Sequence, residues 1–391
     1  IMPSLVGSEM CIRDRHLIKS NKTKDPNYHL LDGSLTPTFE VQESLPEMPS
    51  QYKKFETRNN RLVLFLLSKL QESLKNSFDK YSKARVAVVL GTSTSGIEES
   101  IQARKKDGDL FLSNLNKYQY SYQEMGSPSE FVTNYLNTGP ISYSISTACT
   151  SGARSFIEGK RLLEQNLCDV VVVGASDSLS ELTLNGFHGL QAIDNKHTNP
   201  FSKNREGINI GEGAALFILS RDKDLVENKE RFELCGVGES SDAYHISTPD
   251  PEGKGACQAM ERALKNANLL AKNMSYINLH GTGTLKNDAM ESRAVSSLFG
   301  FETAVSSTKP YTGHTLAAAG AIEAGILCLL MSSQNDKNTL PEHLWDGEED
   351  GDLSRLNFVD KSSDVIIEKC MSNSYAFGGN NTSIIIGKSD D

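Results

Sequence analysis

Cys149 follows the run Ile141–Ser146 (ISYSIS) and opens the segment Thr150–Leu167, where Ala153, Phe156, Ile157, Leu163 and Leu167 share one helical face. A thiol at such a strand-to-helix corner meets unpaired N–H groups and the positive end of a helix dipole, which favour thiolate and lower the pKa of a nucleophile. The small neighbours Ala148, Ser151 and Gly152 leave room for a substrate carbonyl. Taken alone, a cysteine such as Cys149 is more often a buried structural thiol, the case for about two in three lone cysteines. Two histidines stand at similar corners. His280 ends YINLH and enters GTGT before a helix expected from about Asp288, and His314 lies in STKPYTGHT, five residues after Lys309. Gly281, Gly283 and Gly313 permit tight turns at these corners, and Tyr375–Asn381 (YAFGGNN) forms a fourth loop of the kind. Open α/β sheets gather ligands at the carboxyl ends of their strands, so a thiol, two imidazoles and an ammonium at such ends point to nucleophilic chemistry on a carbonyl.

The elements that must position these residues are short apolar runs separated by helical segments. Arg85–Leu90, Ile141–Ser146, Val170–Val173 and Ala215–Leu219 form a first series. Arg231–Gly236, Tyr276–Leu279, Ala304–Ser307, and Met371–Ser374 with Ser383–Ile386 form a second. This alternation indicates an α/β layered fold in two halves, residues 16–230 and 231–391. One helix is expected over Asn60–Phe78, with Leu62, Phe65, Leu66, Leu70, Leu74 and Phe78 on one face, whereas His16–Pro49 is polar, proline-bearing and reads as loop or extended chain.

Composition removes several alternatives. In 391 residues, 40 basic against 50 acidic side chains give a net charge of −10, which argues against a nucleic-acid footprint or a polybasic membrane surface. Apolar runs such as Leu62–Leu67 reach only about six residues, far short of the ~20 that span a bilayer, so a cytoplasmic protein is expected. Seven cysteines without a CxxC pair, and histidines without HExxH spacing, indicate neither a disulfide framework nor a metal site. No GxGxxG follows a strand and no GxxxxGK occurs, which leaves dinucleotide and P-loop readings unsupported. Ile1–Arg15 (IMPSLVGSEMCIRDR) shows no clear strand or helix period and no signal-peptide pattern. It is similar to adapter-derived peptides that recur at the ends of metagenomic reading frames, and is expected to be non-native, Cys11 included.

Six motifs taken together resemble the β-ketoacyl synthases, condensing enzymes of the thiolase-like superfamily. They are STACTSGA around Cys149, NIGEGAALFIL at 209–219, SSDAYH at 240–245, HGTGTLKNDAMES from His280, SSTKPYTGHTLAAAGAIEAG from Ser306 and SNSYAFGGNN from Ser372. The family's glycine-rich opening strand is not recognisable, and Ile1–Arg15 stands in its place. TRNNRLVL and GTSTSGIEES look closest to the aryl-polyene branch.

The resemblance implies a duplicated αβαβα fold and decarboxylative condensation of malonyl-carrier protein with an acyl group held on Cys149, in fatty-acid or polyene biosynthesis. His280 and His314 would polarise the malonyl thioester, and Lys309 would hold the second histidine's network. Phe377 would gate the acyl pocket on Gly378 and Gly379 and share an oxyanion hole with the Cys149 amide. Glu291 would tie to the lysine or a structural cation; as part of Asp288-x-x-Glu291 it is equally a helix capping box. Thr282 and Thr284 would bond the pantetheine arm, and Asp242 and His245 would flank its tunnel. No tightly bound cofactor is expected, the substrates being carried on the phosphopantetheine of acyl carrier protein. Lys53, Lys54, Arg58 and Arg61 would receive that acidic carrier, or form a solvated charged face. A homodimer and a heterodimer with a chain-length-factor-like subunit both fit. A thiolase would need a second reactive cysteine in the last loop, where Cys370 falls several residues early. A non-catalytic partner subunit would usually lack the nucleophile, and a cysteine hydrolase would leave the second histidine and the lysine unexplained.

Overall fold

The computed structural model describes residues 4–10, 25–105, 119–225, 231–335, 337–361 and 366–389. Cys11 and the rest of 11–24, with the expectations attached to them, lie outside the described residues. The principal strands are β1 (Ser4–Met10), β2 (Val86–Gly91), β3 (Ser142–Ile145), β4 (Val170–Asp177), β5 (Gly213–Ser220), β6 (Phe232–Ser241), β7 (Tyr276–Asn278), β8 (Ala304–Ser306), β9 (Asn357–Phe358), β10 (Lys369–Ala376) and β11 (Asn380–Lys388). The α-helices are α1 (Arg58–Lys69), α2 (Gln71–Lys80), α3 (Ile97–Lys105), α4 (Ser127–Leu136), α5 (Ser151–Glu164), α6 (Glu181–Gly189), α7 (Lys254–Ala267), α8 (Leu285–Phe299), α9 (Lys309–Thr312) and α10 (Ala319–Met331).

The strands run in the order β9-β8-β7-β10-β11-β6-β1-β5-β4-β2-β3. In one half β1 and β5, then β5 and β4, are antiparallel, while β4, β2 and β3 are parallel. In the other, β6 and β11, then β11 and β10, are antiparallel, while β10, β7 and β8 are parallel. The same order and the same directions thus occur twice, the turnover falling between β5 and β6. The slot expected to lack its strand is filled by Ser4–Met10, which pairs with β5 along its length and with β6 over Ser4–Glu233 and Leu5–Phe232. Unpaired backbone groups on the neighbouring strands specify such a slot, so a segment of weak side-chain period can occupy it.

Period-2 alternation sorts each sheet half between two apolar layers. Val86, Val88 and Leu90 face α1 and α4, whereas Ala87 and Val89 face the centre with Phe156 of α5 and Leu327 of α10. On the far side, Ile277, Val305 and Met371 pack on Met260 of α7 and Val295 of α8. The result is helix, sheet, helix pair, sheet, helix. Where one helix is expected over 60–78, two form, because Leu70 leaves the helical region (ψ 2°) between α1 and α2.

The central helices begin alike. Ala148 before α5 and Leu316 before α10 both adopt left-handed φ values, 52° and 53°, three residues before the first residue of each helix. The chain then reads Cys149-Thr150-Ser151-Gly152-Ala153 in one half and Ala317-Ala318-Ala319-Gly320-Ala321 in the other. A Cβ on Gly152 would lie 2.5 Å from the Ala317 carbonyl oxygen, and one on Gly320 would lie 2.9 Å from the Ala153 nitrogen. Only glycine allows these backbones to cross so closely. Gly152→Val therefore forces apart two backbones that cannot yield, and is expected to lower stability by about 3 kcal/mol, the upper end for overpacking. A lower urea midpoint at unchanged m-value is the measurement that checks it.

Candidate active site

Cys149 sits on the elbow between β3 and α5. Ser151 clamps that elbow by donating its hydroxyl to the Ala148 carbonyl (2.6 Å) and accepting the Thr147 N–H (2.8 Å). His280 lies just beyond β7. Its backbone N–H and that of Gly281 donate to the two carboxylate oxygens of Glu291, at 2.8 and 2.7 Å. The capping box expected at Asp288-x-x-Glu291 does not form. Helix α8 starts at Leu285 after an N-cap at Thr284, so Asp288 lies at the end of the first turn and Glu291 in the second, neither at the N-cap or N3 position, and both carboxylates face neighbouring loops. Asp288 accepts the Phe201 N–H (2.8 Å) while Glu291 holds the His280 turn. His314 is fixed through its backbone: its N–H donates to Asn209 O (2.7 Å) and its carbonyl accepts the Gly211 N–H (3.0 Å). A Cβ on Gly211 would meet the Thr312 carbonyl at 2.3 Å, which accounts for the glycine in NIGEG.

These turns bring the three side chains together. His314 Nε2 lies 3.0 Å from Cys149 Sγ, and the two imidazoles stand edge-on with ring centroids 5.3 Å apart. All three residues are more than nine-tenths buried. Lys309, 2% exposed, donates from Nζ to Glu323 Oε1 at 2.7 Å, and Ser372 donates to the other Glu323 oxygen at 3.4 Å. The expected tie between Glu291 and the lysine is thereby corrected: Glu291 uses both oxygens on backbone amides, and Glu323 is the partner.

The electrostatics also depart from expectation. Burial pushes the Cys149 thiol up to about 12, against the opposing effect of the Lys309 ammonium. Desolvation outweighs the helix terminus here, so the resting group is a thiol. Burial first, then the Lys309 charge, holds His280 and His314 well below the usual imidazole range, so both are neutral. A neutral imidazole in contact with a thiol can take its proton as the sulfur attacks. Burial likewise raises Glu291 to about 8, against the pull of its two amide donors.

The sulfur and one nitrogen of each histidine lie within 4.8 Å of one another, close enough for one soft cation, although no spacing rule connects residues 149, 280 and 314. Histidines that ligate metal almost always donate their second N–H to an acceptor. Here Nδ1 of each is buried without a hydrogen-bond partner among the described residues.

A cleft of 390 Å³ leads down to the triad, with Thr282, Thr284, Asp242, Phe377 and Gly379 on its walls. The Thr282 and Thr284 hydroxyls lie 2.9 Å apart. Phe377 stacks obliquely on Phe187 at 5.6 Å, and the glycines after it take φ values of 89° and 75°, a hinge only glycine makes without strain. Gly378 bonds the Ile246 carbonyl through its N–H (2.7 Å), and Asp242 donates its own N–H to Gly379 O (2.8 Å). His245 and Gly378 do not line the cleft; His245 points to solvent, where Nδ1 accepts the Ser247 N–H (3.2 Å). The basic cluster is also otherwise engaged. Arg58 pairs with buried Glu212, Arg61 donates to the Pro46 and Leu45 carbonyls, Lys53 pairs with Glu56, and Lys54 with Glu130. The two arginines thus tie the 41–46 segment to α1.

Three contributors escape motif reading. Glu323 is a carboxylate alone in the apolar helix AGAIEAGILCLLM, a signal that it needs a buried cation. Asp177 ends VVVVGASD and accepts from Thr92, Ser93 and Thr94 and from the Ala317 N–H (2.8 Å). Phe187 carries no signal beyond being an apolar residue on α6.

A cysteine and two neutral histidines, backed by a buried lysine–glutamate pair and drawn from two copies of one α/β unit, form a site at which a thiol can attack a carbonyl while an imidazole takes its proton. The family models for the β-ketoacyl synthase N-terminal and C-terminal domains match residues 12–224 and 231–342. The 3-oxoacyl-[acyl-carrier-protein] synthase 2 of Coxiella burnetii is 30% identical, the match covering 91% of this chain and 89% of that protein. A mitochondrial 3-oxoacyl-[acyl-carrier-protein] synthase of Arabidopsis thaliana is 31% identical, with 78% and 69% covered. Among solved structures, a ketosynthase in complex with its chain length factor from Xenorhabdus doucetiae superposes with a TM-score of 0.90 at 36% identity, covering 99% of this chain and 98% of that one. The chain belongs to the β-ketoacyl synthase family, and its fold is the thiolase-like one. No helix among the described residues is long and apolar enough to cross a membrane.

Because the resting group is a thiol, iodoacetamide alkylation of Cys149 in the free enzyme is expected to quicken about tenfold per pH unit between roughly pH 7 and 9. Lys309→Met removes the cation that draws the thiol down, and slows alkylation at each pH. Mass spectrometry of the Cys149 peptide reads both; a rate already flat at pH 7 would contradict the protonated resting state.

Proposed function

We propose that Cys149 is the acyl acceptor of a decarboxylative condensation on carrier-bound thioesters. The 3.0 Å contact between Cys149 Sγ and His314 Nε2 at the buried end of the cleft, beside the Lys309–Glu323 pair, is the observation that carries this reading. Cys149 attacks the acyl thioester as His314 takes its proton, the carrier thiol leaves with a proton, and the acyl group stays on sulfur. A malonyl thioester then occupies the same cleft. Its carboxylate departs as carbon dioxide, and the electron pair of the broken bond moves toward the thioester carbonyl. The N–H groups of the neutral imidazoles stabilise that enolate without requiring a charged donor. The enolate carbon attacks the acyl carbonyl, the new C–C bond forms, the C–S bond to Cys149 breaks with its electron pair staying on sulfur, and a proton taken up from water restores the thiol. Lys309 with Glu323 contributes a fixed dipole behind the pair, Glu291 sets the height of the His280 backbone, and Phe377 on its glycine hinge closes over the acyl group.

We further place the enzyme in the cytoplasm, acting on phosphopantetheine-borne substrates of the aryl-polyene kind beside a chain-length-factor-like subunit. The likeness to the Xenorhabdus doucetiae ketosynthase and the aryl-polyene-like segments TRNNRLVL and GTSTSGIEES support this assignment. So does strand β3, which ends the sheet with one paired side, half-buried residues and Tyr143 exposed. Such an edge invites strand pairing with a second chain. Cys149→Ala is expected to abolish acyl-enzyme formation, seen by intact-protein mass spectrometry. His280→Ala keeps Cys149 acylation but lowers carbon dioxide release from malonyl-carrier protein by ~10²-fold or more, the usual cost of one such donor. Acyl adducts on another cysteine, or unimpaired decarboxylation in His280→Ala, would overturn the assignment.

A further inference from the structure

Lys286 is the second residue of α8, directly beyond the Thr282–Thr284 turn, and its exposed side chain lies on the wall of the catalytic cleft. Its Nζ reaches across to the opposite loop and donates to Thr248 Oγ1 at 3.1 Å. Among the described residues it forms no ion pair, unlike Lys53, Lys54 and Lys203 on the surface, each tied to a glutamate, and unlike buried Lys309. Two carboxylates share the cleft with it. Asp242 is turned to the Asn381 amide (2.7 Å) and the Asp250 N–H (3.1 Å), while Glu206 stands on the cleft without pairing to the lysine. An ammonium without a counter-ion, beside the Thr248 hydroxyl and in the same cleft as the Thr284 hydroxyl, is complementary to an anion with several acceptor oxygens. In a chain of net charge −10 such a group on the substrate path carries a particular opportunity for electrostatic selection.

The substrate's chemistry says which anion comes here. A phosphopantetheine arm carries its thioester at one end and a phosphodiester at the other. With the thioester at Cys149 in the depth of the cleft, the phosphodiester falls toward the entrance. We propose that Lys286 is a specificity-determining residue that binds this phosphodiester, with the Thr248 and Thr284 hydroxyls completing its hydrogen bonds. The inference rests on the reading above, in which carrier-bound thioesters are the substrates.

Three acyl donors separate the possibilities: the acyl-carrier protein, the acyl thioester of free 4′-phosphopantetheine, and the acyl thioester of pantetheine, which lacks the phosphate. Acylation of Cys149 is followed by mass spectrometry in the full chain, so no condensation partner is needed. Lys286→Ala is expected to raise the KM for the two phosphorylated donors about tenfold, the scale of one charge-assisted hydrogen bond. The kcat stays unchanged, and the pantetheine thioester is handled as by the unsubstituted enzyme. Lys286→Glu enlarges the loss and Lys286→Arg largely recovers it. An equal loss on the phosphate-free donor would assign Lys286 to cleft shape and overturn the proposal, as would an unchanged KM for the phosphorylated donors. If the unsubstituted enzyme acylated Cys149 from none of the three, the underlying reading would fall, and this inference with it.

Discussion

The glycine-limited crossing of α5 and α10 fixes the rest of the molecule. Gly152 and Gly320 let the two helices meet backbone to backbone, and the left-handed residues before them, Ala148 and Leu316, turn both helix starts toward the same point. A non-glycine residue in that region costs ~1–2 kcal/mol, so each elbow needs support from its surroundings. Ser151 supplies it in the first half. In the second, Asp177 reaches from β4 to the Ala317 N–H, while the same carboxylate gathers the loop after β2. One buried carboxylate of the first half therefore holds the elbow of the second, and the two units register against each other at the site.

That geometry places Cys149 where desolvation governs its chemistry. A dry pocket makes a free thiolate expensive, yet it strengthens every hydrogen bond aimed at charge that appears only during reaction. Lys309 and Glu323 keep a cation close to the sulfur and both imidazoles while neutralising it overall. The consequence is a resting triad without a free charge and a thiol in contact with a neutral imidazole. Glu291 serves the same end by another route: it satisfies two backbone donors of a turn that would otherwise bury them unpaired, which fixes the position of His280.

Much of this is legible in the amino-acid sequence because strand ends and reactive residues coincide. The runs before Cys149 and His280 are short, the first alternating isoleucine or tyrosine with serine and the second largely apolar, and the glycines after His280 report turns that the backbone does adopt, with φ values of 37° and 78° at Gly281 and Gly283. What escapes notice depends on partners distant in the chain. The Lys309–Glu323 pair crosses only fourteen residues, but motif resemblance directs attention to Glu291 instead. The carboxylates of α8 sit at capping-box spacing, and only the position of the helix start at Leu285 shows that they face other loops. The sign of the Cys149 shift depends on how deeply the elbow is buried, a property of the packed layers that no local motif encodes. The first strand is hidden for a related reason, since its place is set by the backbone groups of β5 and β6.

Duplication explains why the labour is divided as it is. Each half ends its third strand at an elbow and a central helix, but only the first carries a reactive side chain there; the second has Ala317 at the position corresponding to Cys149. The second half contributes His280 and His314 from loops that its own elbow leaves free. A thiol and the imidazoles that face it, held on separate, mutually braced units, can be adjusted independently, whereas a single elbow carrying both would have to satisfy two sets of backbone constraints at one turn. Ala317 is fully buried at that position, and its carbonyl oxygen lies 2.5 Å from where a Cβ on Gly152 would stand, so its backbone is part of the helix crossing that aims Cys149.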